Sequence, residues 1–221
     1  MSFIVGIDGP AGSGKGTVTK KIANKLGLIN IDTGCTYRCV ALEVLNNKVS
    51  LDDKEKIIEI AKRVQIEIKP NPEGDKVFLN GNDVSLKIRS KEVTDIVSQV
   101  SSIKEVRYAM VDLQRKMAQD KNVIMEGRDI CTYVFPNADV KIYLDASVEE
   151  RAKRRYKENQ EKGINTTYEE VVNNIKLRDE NDMNKEIGAL KLAEDSIIVD
   201  TTNLSIDEVV DRIIEIIKEK M

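Results

Sequence analysis

The hydrophobic and polar positions along the chain predict strands that alternate with helices. The chain opens on a short apolar run, FIVGID (3–8), which indicates a buried strand. After the next turn, Val18, Ile22 and Leu26 recur at helical spacing and predict an amphipathic helix. Further strands are predicted at 26–32, 122–129, 139–147 and 196–202. Further helices are predicted at 36–45, 52–64, 91–120, 148–162, 167–184 and 205–220.

In the predicted helix at 91–120, the apolar residues recur on one face. These residues are Ile103, Val106, Met110, Leu113 and Met117.

Residues 65–90 follow a different pattern. The stretches QIEIKP and KVFLNGNDV alternate as strands do, and Pro70 and Pro72 indicate turns. We therefore predict a small β-rich insert at 65–90, with residues 1–64 and 91–221 forming the core. Strands alternating with helices indicate an α/β fold with a central parallel sheet and right-handed crossovers. Ligands of such sheets bind at the carboxyl ends of the strands.

Composition limits the classes of partner. The 221-residue chain carries a formal net charge of −3, which argues against a general affinity for nucleic acid or anionic membranes. No apolar run is long enough to span a bilayer, and no signal-peptide pattern is present. No long exposed apolar helix face predicts assembly, so we expect a monomer.

Two residue types limit the chemistry. The chain contains no histidine, which excludes histidine-dependent catalytic triads and histidine-ligated zinc sites. Its cysteines, Cys35, Cys39 and Cys131, form neither a disulfide framework nor a C-x-x-C zinc spacing. This cysteine usage indicates a reducing, cytoplasmic setting.

A glycine-rich loop, GPAGSGKGT (9–17), lies between the first strand and the first helix. Its glycines let successive backbone N–H groups point inward, and the helix start adds partial positive charge. The context therefore predicts a phosphate-binding loop rather than a tight turn with an exposed lysine. The predicted nucleotide-binding residues are Gly9, Pro10, Ala11, Gly12, Ser13, Gly14, Lys15, Gly16 and Thr17.

The loop departs from the G-x-x-x-x-G-K-[ST] pattern at one position. Gly16 stands where that pattern has a hydroxyl, and Thr17 supplies the hydroxyl one place later. The Thr17 hydroxyl can face phosphates or Mg²⁺, or it can cap the helix.

The string GKGT resembles the loop of nucleoside monophosphate kinases, and four longer stretches are similar to bacterial cytidylate kinases. The similarity covers nearly the whole chain, in order, and its combination of motifs is far more specific than the glycine loop alone. The four stretches are DTGCTYR (32–38), EVTDIVSQVSSIKEVR (92–107), EGRDICTYVFPNADVKIYLDAS (126–147) and IKLRDENDMNK (175–185).

The resemblance implies a P-loop kinase fold of three α/β/α layers, with a short helical lid at about 148–163. It implies transfer of the γ-phosphoryl group of ATP to CMP and dCMP, with Mg²⁺, giving CDP or dCDP plus ADP in pyrimidine nucleotide metabolism. Catalysis of this kind is positioning and electrostatic stabilisation, without a covalent enzyme intermediate.

The resemblance also implies an acceptor site. Arg38 and Arg128 would hold the acceptor phosphate, a task for which bidentate arginine is suited. Asp182 would bind the ribose hydroxyls, with Arg178 nearby. Taken singly, each arginine could be a solvated charge and Asp182 an ordinary acid on a helix surface. Thr33 is also assigned to this site, and the residues that would read the cytosine edge are Ser98, Arg107 and Asp129.

Lys15, Arg128, Arg154 and Arg155 are the predicted catalytic cations. Arg151 belongs with the last two on the lid helix, whose charges would surround the transferring phosphoryl group. The same helix could instead be a solvated surface with i,i+4 ion pairs such as Glu150–Arg154.

Thr17 is the predicted Mg²⁺ ligand, with Glu126 acting through water. The last loop, DTTNLS (200–205), corresponds to a segment that lies beside adenine in related P-loop kinases. Its Ser205 is equally a good N-cap for the final helix.

Several residues depart from the family pattern. Glu126 stands where an aspartate is usual, Cys131 where a glycine is usual, and Lys185 where an arginine is usual. Lysine keeps the charge but loses the two-pronged geometry, so weaker acceptor binding is expected. Cys35 and Cys131 both follow strands and either approach each other or only pack.

A phosphate-binding loop is also compatible with three other functions. The acceptor could be UMP, AMP or a non-nucleotide small molecule. A GTPase-like switch would need a guanine-reading N-K-x-D, and the closest string, NKVS at Asn47, lacks the aspartate. A purely structural P-loop protein is disfavoured by the dense polar residues at the strand ends.

Overall fold

The structure is a computed structural model that describes residues 2–71, 75–161 and 163–221. In chain order its elements are β1 (Ile4–Asp8), α1 (Lys15–Leu26), β2 (Ile29–Asp32), α2 (Thr33–Asn46), α3 (Lys54–Arg63), β3 (Ile66–Lys69), β4 (Lys76–Leu79), β5 (Asn82–Asp83), α4 (Lys91–Ser102), α5 (Lys104–Ala118), β6 (Val123–Gly127), β7 (Val140–Asp145), α6 (Val148–Glu161), α7 (Tyr168–Met183), β8 (Ile197–Asp200) and α8 (Ile206–Lys218). Short helical turns at Lys87–Arg89 and Ile130–Val134 complete the set.

Five parallel strands form the central sheet, in the order β2-β6-β1-β7-β8. Alternate residues of each strand face opposite sides, and different helices cover the two sides. On one side, Val5 and Ile7 pack with apolar residues of α1 and α8. On the other, Val123 and Met125 pack with residues of α5. The predicted three-layer α/β/α architecture is confirmed.

The structure has two helices within residues 91–120, where one was predicted, because the helix is interrupted at Ile103. This residue has extended backbone angles (φ −70°, ψ 122°), so α4 ends before it and α5 begins after it. Ile103 joins an apolar cluster that includes Val100 and Val106. Burial of its side chain accompanies the break, which periodicity alone did not reveal.

The strand predicted at 26–32 begins later than expected. Helix α1 continues to Leu26 and ends at Gly27, whose φ of 68° is a left-handed conformation that favours glycine. Strand β2 then starts at Ile29.

Within residues 65–90, strands β3, β4 and β5 form an antiparallel sheet. Its Ile66, Val77 and Leu79 bury their side chains in the same apolar cluster as α2, α3, α4 and α5. The sheet therefore packs on the helices before and after it, and its status as a separate insert stays a prediction.

Helices α6 and α7 pack on each other through a small apolar cluster of their own. Ala152 meets Val171 and Ile175 there, and the rings of Tyr156 and Tyr168 lie edge to face, 5.9 Å apart. None of the helices described is long and apolar enough to cross a membrane.

Candidate active site

A single cleft of about 1,380 Å³ opens at the carboxyl ends of the central strands. It runs from the glycine loop to α4 and α7. Gly9 and Pro10 do not line it, whereas most of the other predicted site residues do. Those residues are Ala11–Thr17, Thr33, Arg38, Ser98, Arg107, Glu126, Arg128, Asp129, Arg154, Arg155, Arg178 and Asp182.

The glycine loop presents the start of α1 to the cleft. Gly14, with φ 90°, precedes the helix and offers no side chain to cap it. The first N–H groups of a helix have no partner inside the helix, so these amides are available to an anion. Gly9 is required for a different reason, because a Cβ there would overlap the carbonyl oxygen of Leu144. The loop therefore has the form of an anion site.

Lys15 rests on the carbonyl groups of its own loop. Its Nζ donates to the carbonyl oxygens of Gly9 (2.7 Å) and Pro10 (2.8 Å) and to Ser13 Oγ (3.2 Å). Burial, together with the nearby charge of Arg128, lowers the pKa of Lys15 well below its usual value. A phosphate in the loop would supply the negative charge that this buried ammonium lacks.

The structure explains the unusual order Lys-Gly-Thr. A Cβ on Gly16 would lie 2.9 Å from Glu126 Oε1, so the carboxylate occupies the space beside the loop. Thr17 lies exposed in the first turn of α1, and the N-cap is Gly14, so of the two alternatives for Thr17 the structure does not support helix capping.

Oxygen donors gather beside the loop, as a Mg²⁺ site requires. Glu126 pairs with Asp32 in the register of neighbouring strands, and both line the cleft with the Thr17 hydroxyl. Burial and the Asp32 charge raise the pKa of Glu126 to about 8, and a cation there would favour its ionised form. Thr17 and Glu126 fit an ion that keeps waters and binds substrate phosphates, because Mg²⁺ usually takes only one or two protein ligands.

At the far end of the cleft, Arg107 and Asp129 form a buried ion pair. Arg107 is the fourth residue of α5, and Asp129 follows β6. The guanidinium lies over the ring of Tyr37, 5.2 Å from its centre, and its buried Nε has no partner among the residues described. Burial raises the pKa of Asp129, although Arg107 opposes that shift. The pair offers a planar donor and an acceptor side by side.

Asp182 of α7 connects two cations. Its Oδ2 accepts from Arg128 Nε and its Oδ1 from Lys185 Nζ, each at 2.8 Å. Burial acts against its charge, but these cations hold the pKa of Asp182 well below its usual range. The structure partly explains why a lysine can replace the usual arginine at position 185, because one ammonium suffices to pair with one carboxylate oxygen.

Two cleft arginines have no acidic partner within the described part of the chain. Arg38 donates to the carbonyl oxygen of Ile88 (3.0 Å) and to Thr94 Oγ1 (2.9 Å). Arg178 lines the cleft, and burial together with the Arg128 charge lowers its pKa to about 10. Both guanidinium groups can therefore pair with an anion bound in the cleft.

Two further predicted site residues, Ser98 and Thr33, contact backbone carbonyl groups or have their own carbonyl group in use. Ser98 lines the cleft from α4, and its carbonyl oxygen accepts from Ser101. Thr33 is buried, and its hydroxyl donates to the carbonyl oxygen of Glu126 at 2.7 Å. Thr33 thus joins α2 to the end of β6.

The arginines of α6 do not act as one group. Arg151 was expected to carry lid charge, but it is buried and donates to the carbonyl oxygens of Ala11 and Ala146. Arg154 donates to the Thr201 carbonyl and hydroxyl oxygens and to Glu150, so the i,i+4 pair does form. Arg155 pairs with Glu158 at 3.2 Å. The last two face the cleft, and their catalytic role stays a prediction.

Sequence reasoning missed three residues. Asp8 accepts from the backbone N–H groups of Ile130 and Cys131, both at 2.8 Å, and so holds the turn that carries Asp129. Asp179 accepts from the N–H of Ala11 in the glycine loop. Gly188 (φ 64°) lies where a Cβ would overlap the Arg107–Asp129 pair. Only Asp8 had a sequence signal, an acid at the end of an apolar strand.

The cysteines are all free. Cys35 lies in α2 and donates to Asp32 Oδ2, whereas Cys131 packs in a different apolar cluster, beside Gly6. Of the two alternatives for Cys35 and Cys131, the structure therefore favours separate packing.

The last loop serves two purposes. Ser205 caps α8 in a reciprocal arrangement with Glu208. Thr201, Leu204 and Ser205 also line the cleft beside the glycine loop.

Comparison with known proteins relates this chain to cytidylate kinases. A family model described as cytidylate kinase matches residues 5–219. The cytidylate kinase of Geobacillus sp. is 50% identical over 217 residues, covering 98% of this chain and 97% of that protein. The cytidylate kinase of Bacillus subtilis is 47% identical over 216 residues, covering 98% and 96%. Among solved structures, an uncharacterized protein from Eubacterium ventriosum shares the fold, with a TM-score of 0.56 at 14% identity over 99% of both chains.

Proposed function

The chain belongs to the cytidylate kinase family, and on that premise we propose that it transfers the γ-phosphoryl group of ATP to CMP and dCMP. The family membership makes the protein a phosphotransferase. The observation that carries the choice of acceptor is the Arg107–Asp129 pair, buried in the same cleft as the glycine loop.

The donor binds at the glycine loop. The N–H groups at the start of α1 receive the β- and γ-phosphates, and Lys15 leaves the carbonyl oxygens of Gly9 and Pro10 to follow the γ-phosphoryl group. The adenine lies toward Leu204 and Ser205, which continue the cleft past the loop.

Cytosine is read by Ser98, Arg107 and Asp129. The base presents an amino donor beside ring and carbonyl acceptors, and the pair presents a carboxylate beside N–H donors. Uracil has a carbonyl oxygen in place of the amino group, so it would set an acceptor against the Asp129 carboxylate and lose that hydrogen bond. The proposal includes dCMP because the base and phosphate contacts do not depend on the 2′-hydroxyl, while Asp182 and Arg178 bind the sugar.

Arg38 and Arg128 hold the acceptor phosphate. Among the described residues, no acid pairs with Arg38 and competes for it, and Arg128 is already oriented by Asp182. The acceptor oxygen attacks the γ-phosphorus in line, so the protein needs no nucleophile of its own. Lys15, Arg128, Arg154 and Arg155 offset the charge that the transferring group spreads over its oxygens.

Thr17 and Glu126 would hold a Mg²⁺ ion, which when bound would supply positive charge to offset that of the donor phosphates. Glu126 reaches this position because Gly16 leaves the space beside the loop open.

We place the reaction in the cytoplasm, as a step of pyrimidine nucleotide metabolism, and expect a monomeric enzyme. The buried, unpaired thiols of Cys35, Cys39 and Cys131 suit a reducing compartment.

The test is ADP release from ATP and Mg²⁺ with CMP, dCMP, UMP and AMP offered separately. We expect strong turnover with CMP and dCMP, weak turnover with UMP and almost none with AMP. Strong turnover with AMP, or none with any acceptor, would contradict the assignment of the acceptor pocket but not that of the phosphate-binding loop.

A further inference from the structure

A buried ion pair between α6 and α7 grips the backbone of the glycine loop. Arg151 Nη1 donates to Asp179 Oδ2 at 2.6 Å and to the carbonyl oxygen of Ala11 at 2.9 Å. Asp179 Oδ1 accepts from the N–H of the same Ala11 at 3.2 Å. Both polar groups of one loop residue are therefore held by the two partners of one ion pair.

The pair is isolated from solvent and fixed from a third side. Arg151 and Asp179 are 4% and 5% exposed, and Ala11 is 4% exposed. Arg151 Nε donates to the carbonyl oxygen of Ala146, just after β7, at 2.9 Å. The two charges neutralise each other, and both side chains also form hydrogen bonds with the peptide groups of Ala11. The arrangement is therefore rigid.

The same turn of α7 reaches the acceptor side. Asp182 lies three residues after Asp179 on the same face of the helix and holds Arg128. One helical turn thus contacts the donor loop through Asp179 and the acceptor arginine through Asp182.

We propose that Arg151 and Asp179 are positioning residues that hold the glycine loop in its phosphate-binding conformation and set its place relative to the acceptor site. Neither side chain needs to touch a nucleotide, since both act through the peptide groups of Ala11. The expected change in the KM for ATP rests on the proposed kinase function, whereas the expected change in ADP binding does not.

The arrangement also separates the arginines of α6. Arg151 is bound to the loop, whereas Arg154 and Arg155 face the cleft one turn later. If the end of α6 closes over the nucleotides, the part that moves must lie beyond Arg151.

The main test is Asp179→Asn, which keeps the volume and one acceptor oxygen but removes the charge opposite Arg151. We expect the dissociation constant for ADP, measured without an acceptor, to rise about tenfold, as for loss of a charged hydrogen bond. The KM for ATP should rise in parallel, and CMP binding measured without a donor should change less than about twofold.

The matched control is Glu180→Gln, the exposed neighbour on the same helix, which should leave both dissociation constants unchanged. Arg151→Lys should act like Asp179→Asn, since one ammonium cannot reach Ala11, Ala146 and Asp179 together. A merely structural role would lower the active fraction, and therefore kcat, without moving either dissociation constant. That result, or an equal loss of ADP and CMP binding, would overturn the proposal.

Hydrogen exchange tests the proposal on the wild-type protein alone, so it does not depend on the folding of a variant. The Ala11 amide should exchange about a hundredfold or more slowly than an unpaired loop amide in the nucleotide-free protein. Exchange at the rate of an open loop would overturn the proposal. Failure of the proposed function would show differently, as wild-type ADP binding without turnover on CMP.

Discussion

The proposed donor loop and the proposed acceptor pocket, called the donor loop and the acceptor pocket below, lie in one cleft but are built in opposite ways. The donor loop is a continuous segment, Gly9–Thr17, whose binding groups are backbone N–H groups and a single ammonium. The acceptor pocket takes side chains from α2, α4, α5, the turn after β6, and α7. In the loop, glycines make room, whereas in the pocket charged groups pair with one another.

This difference determines what each region tolerates. A backbone site depends on the path of the chain and on few side chains, so one or two substitutions should remove its function. A side-chain site spreads its energy over several partners, so single substitutions should change affinity or selectivity by smaller factors.

Lys15→Met should lower kcat by about a hundredfold to a thousandfold, because a positioned charge on the transferring group is lost. Folding should be retained, since methionine fills a similar volume and burial already acts against the Lys15 charge. Steady-state kinetics and thermal unfolding measure the two effects. Lys62→Met, on the exposed face of α3, is the control. Near-normal turnover of the Lys15 variant would contradict the assignment of the donor site to this loop.

Asp182→Asn should destabilise the fold by about 3 kcal/mol at pH 7, because it leaves Arg128 and Lys185 without their buried counterion. Since the folded-state pKa of Asp182 is depressed, its stabilisation is present above about pH 4 and is lost as the pH falls through the lower folded value. Urea unfolding at several pH values should therefore show the two proteins converging in acid.

The same variant should raise the acceptor KM, because Asp182 is assigned to the ribose. Glu180→Gln is the matched control on the same helix. A stability difference that does not vary with pH would show that Asp182 does not act through its charge.

Asp129→Asn should reduce the preference for CMP over UMP by about tenfold, because the amide can donate to uracil where the carboxylate cannot. The ratio of kcat/KM for the two acceptors measures this effect, and the KM for ATP should not move. Asp112→Asn, at an exposed position of α5, is the control. An unchanged ratio would remove Asp129 from base reading.

Lys185→Arg should lower the acceptor KM by roughly twofold to fivefold, because a guanidinium can hold Asp182 and a phosphate oxygen together. Lys191→Arg, exposed on the following segment, is the control. A raised KM would indicate that the pocket around Lys185 has no room for the larger group.

The donor loop was predictable because its signal is local. An apolar strand, three spaced glycines and a lysine at a helix start are contiguous in the chain, and their geometry follows from backbone conformation. The acceptor residues were named only through resemblance, since Ser98, Arg107 and Asp182 are ordinary polar residues when each is taken alone.

The α/β order, the phosphate loop and the polar strand ends can be predicted from the chain alone. The burial of Arg151 and its contact with Ala11, the separation of α4 and α5 at Ile103, and the hold of Asp8 on the turn after β6 emerge only in the folded protein. Periodicity reports which face of an element is apolar, whereas the partner of a charged residue depends on elements distant in the chain. Because Arg151 and Asp179 are 28 residues apart, no local pattern distinguishes their pairing from two solvated charges.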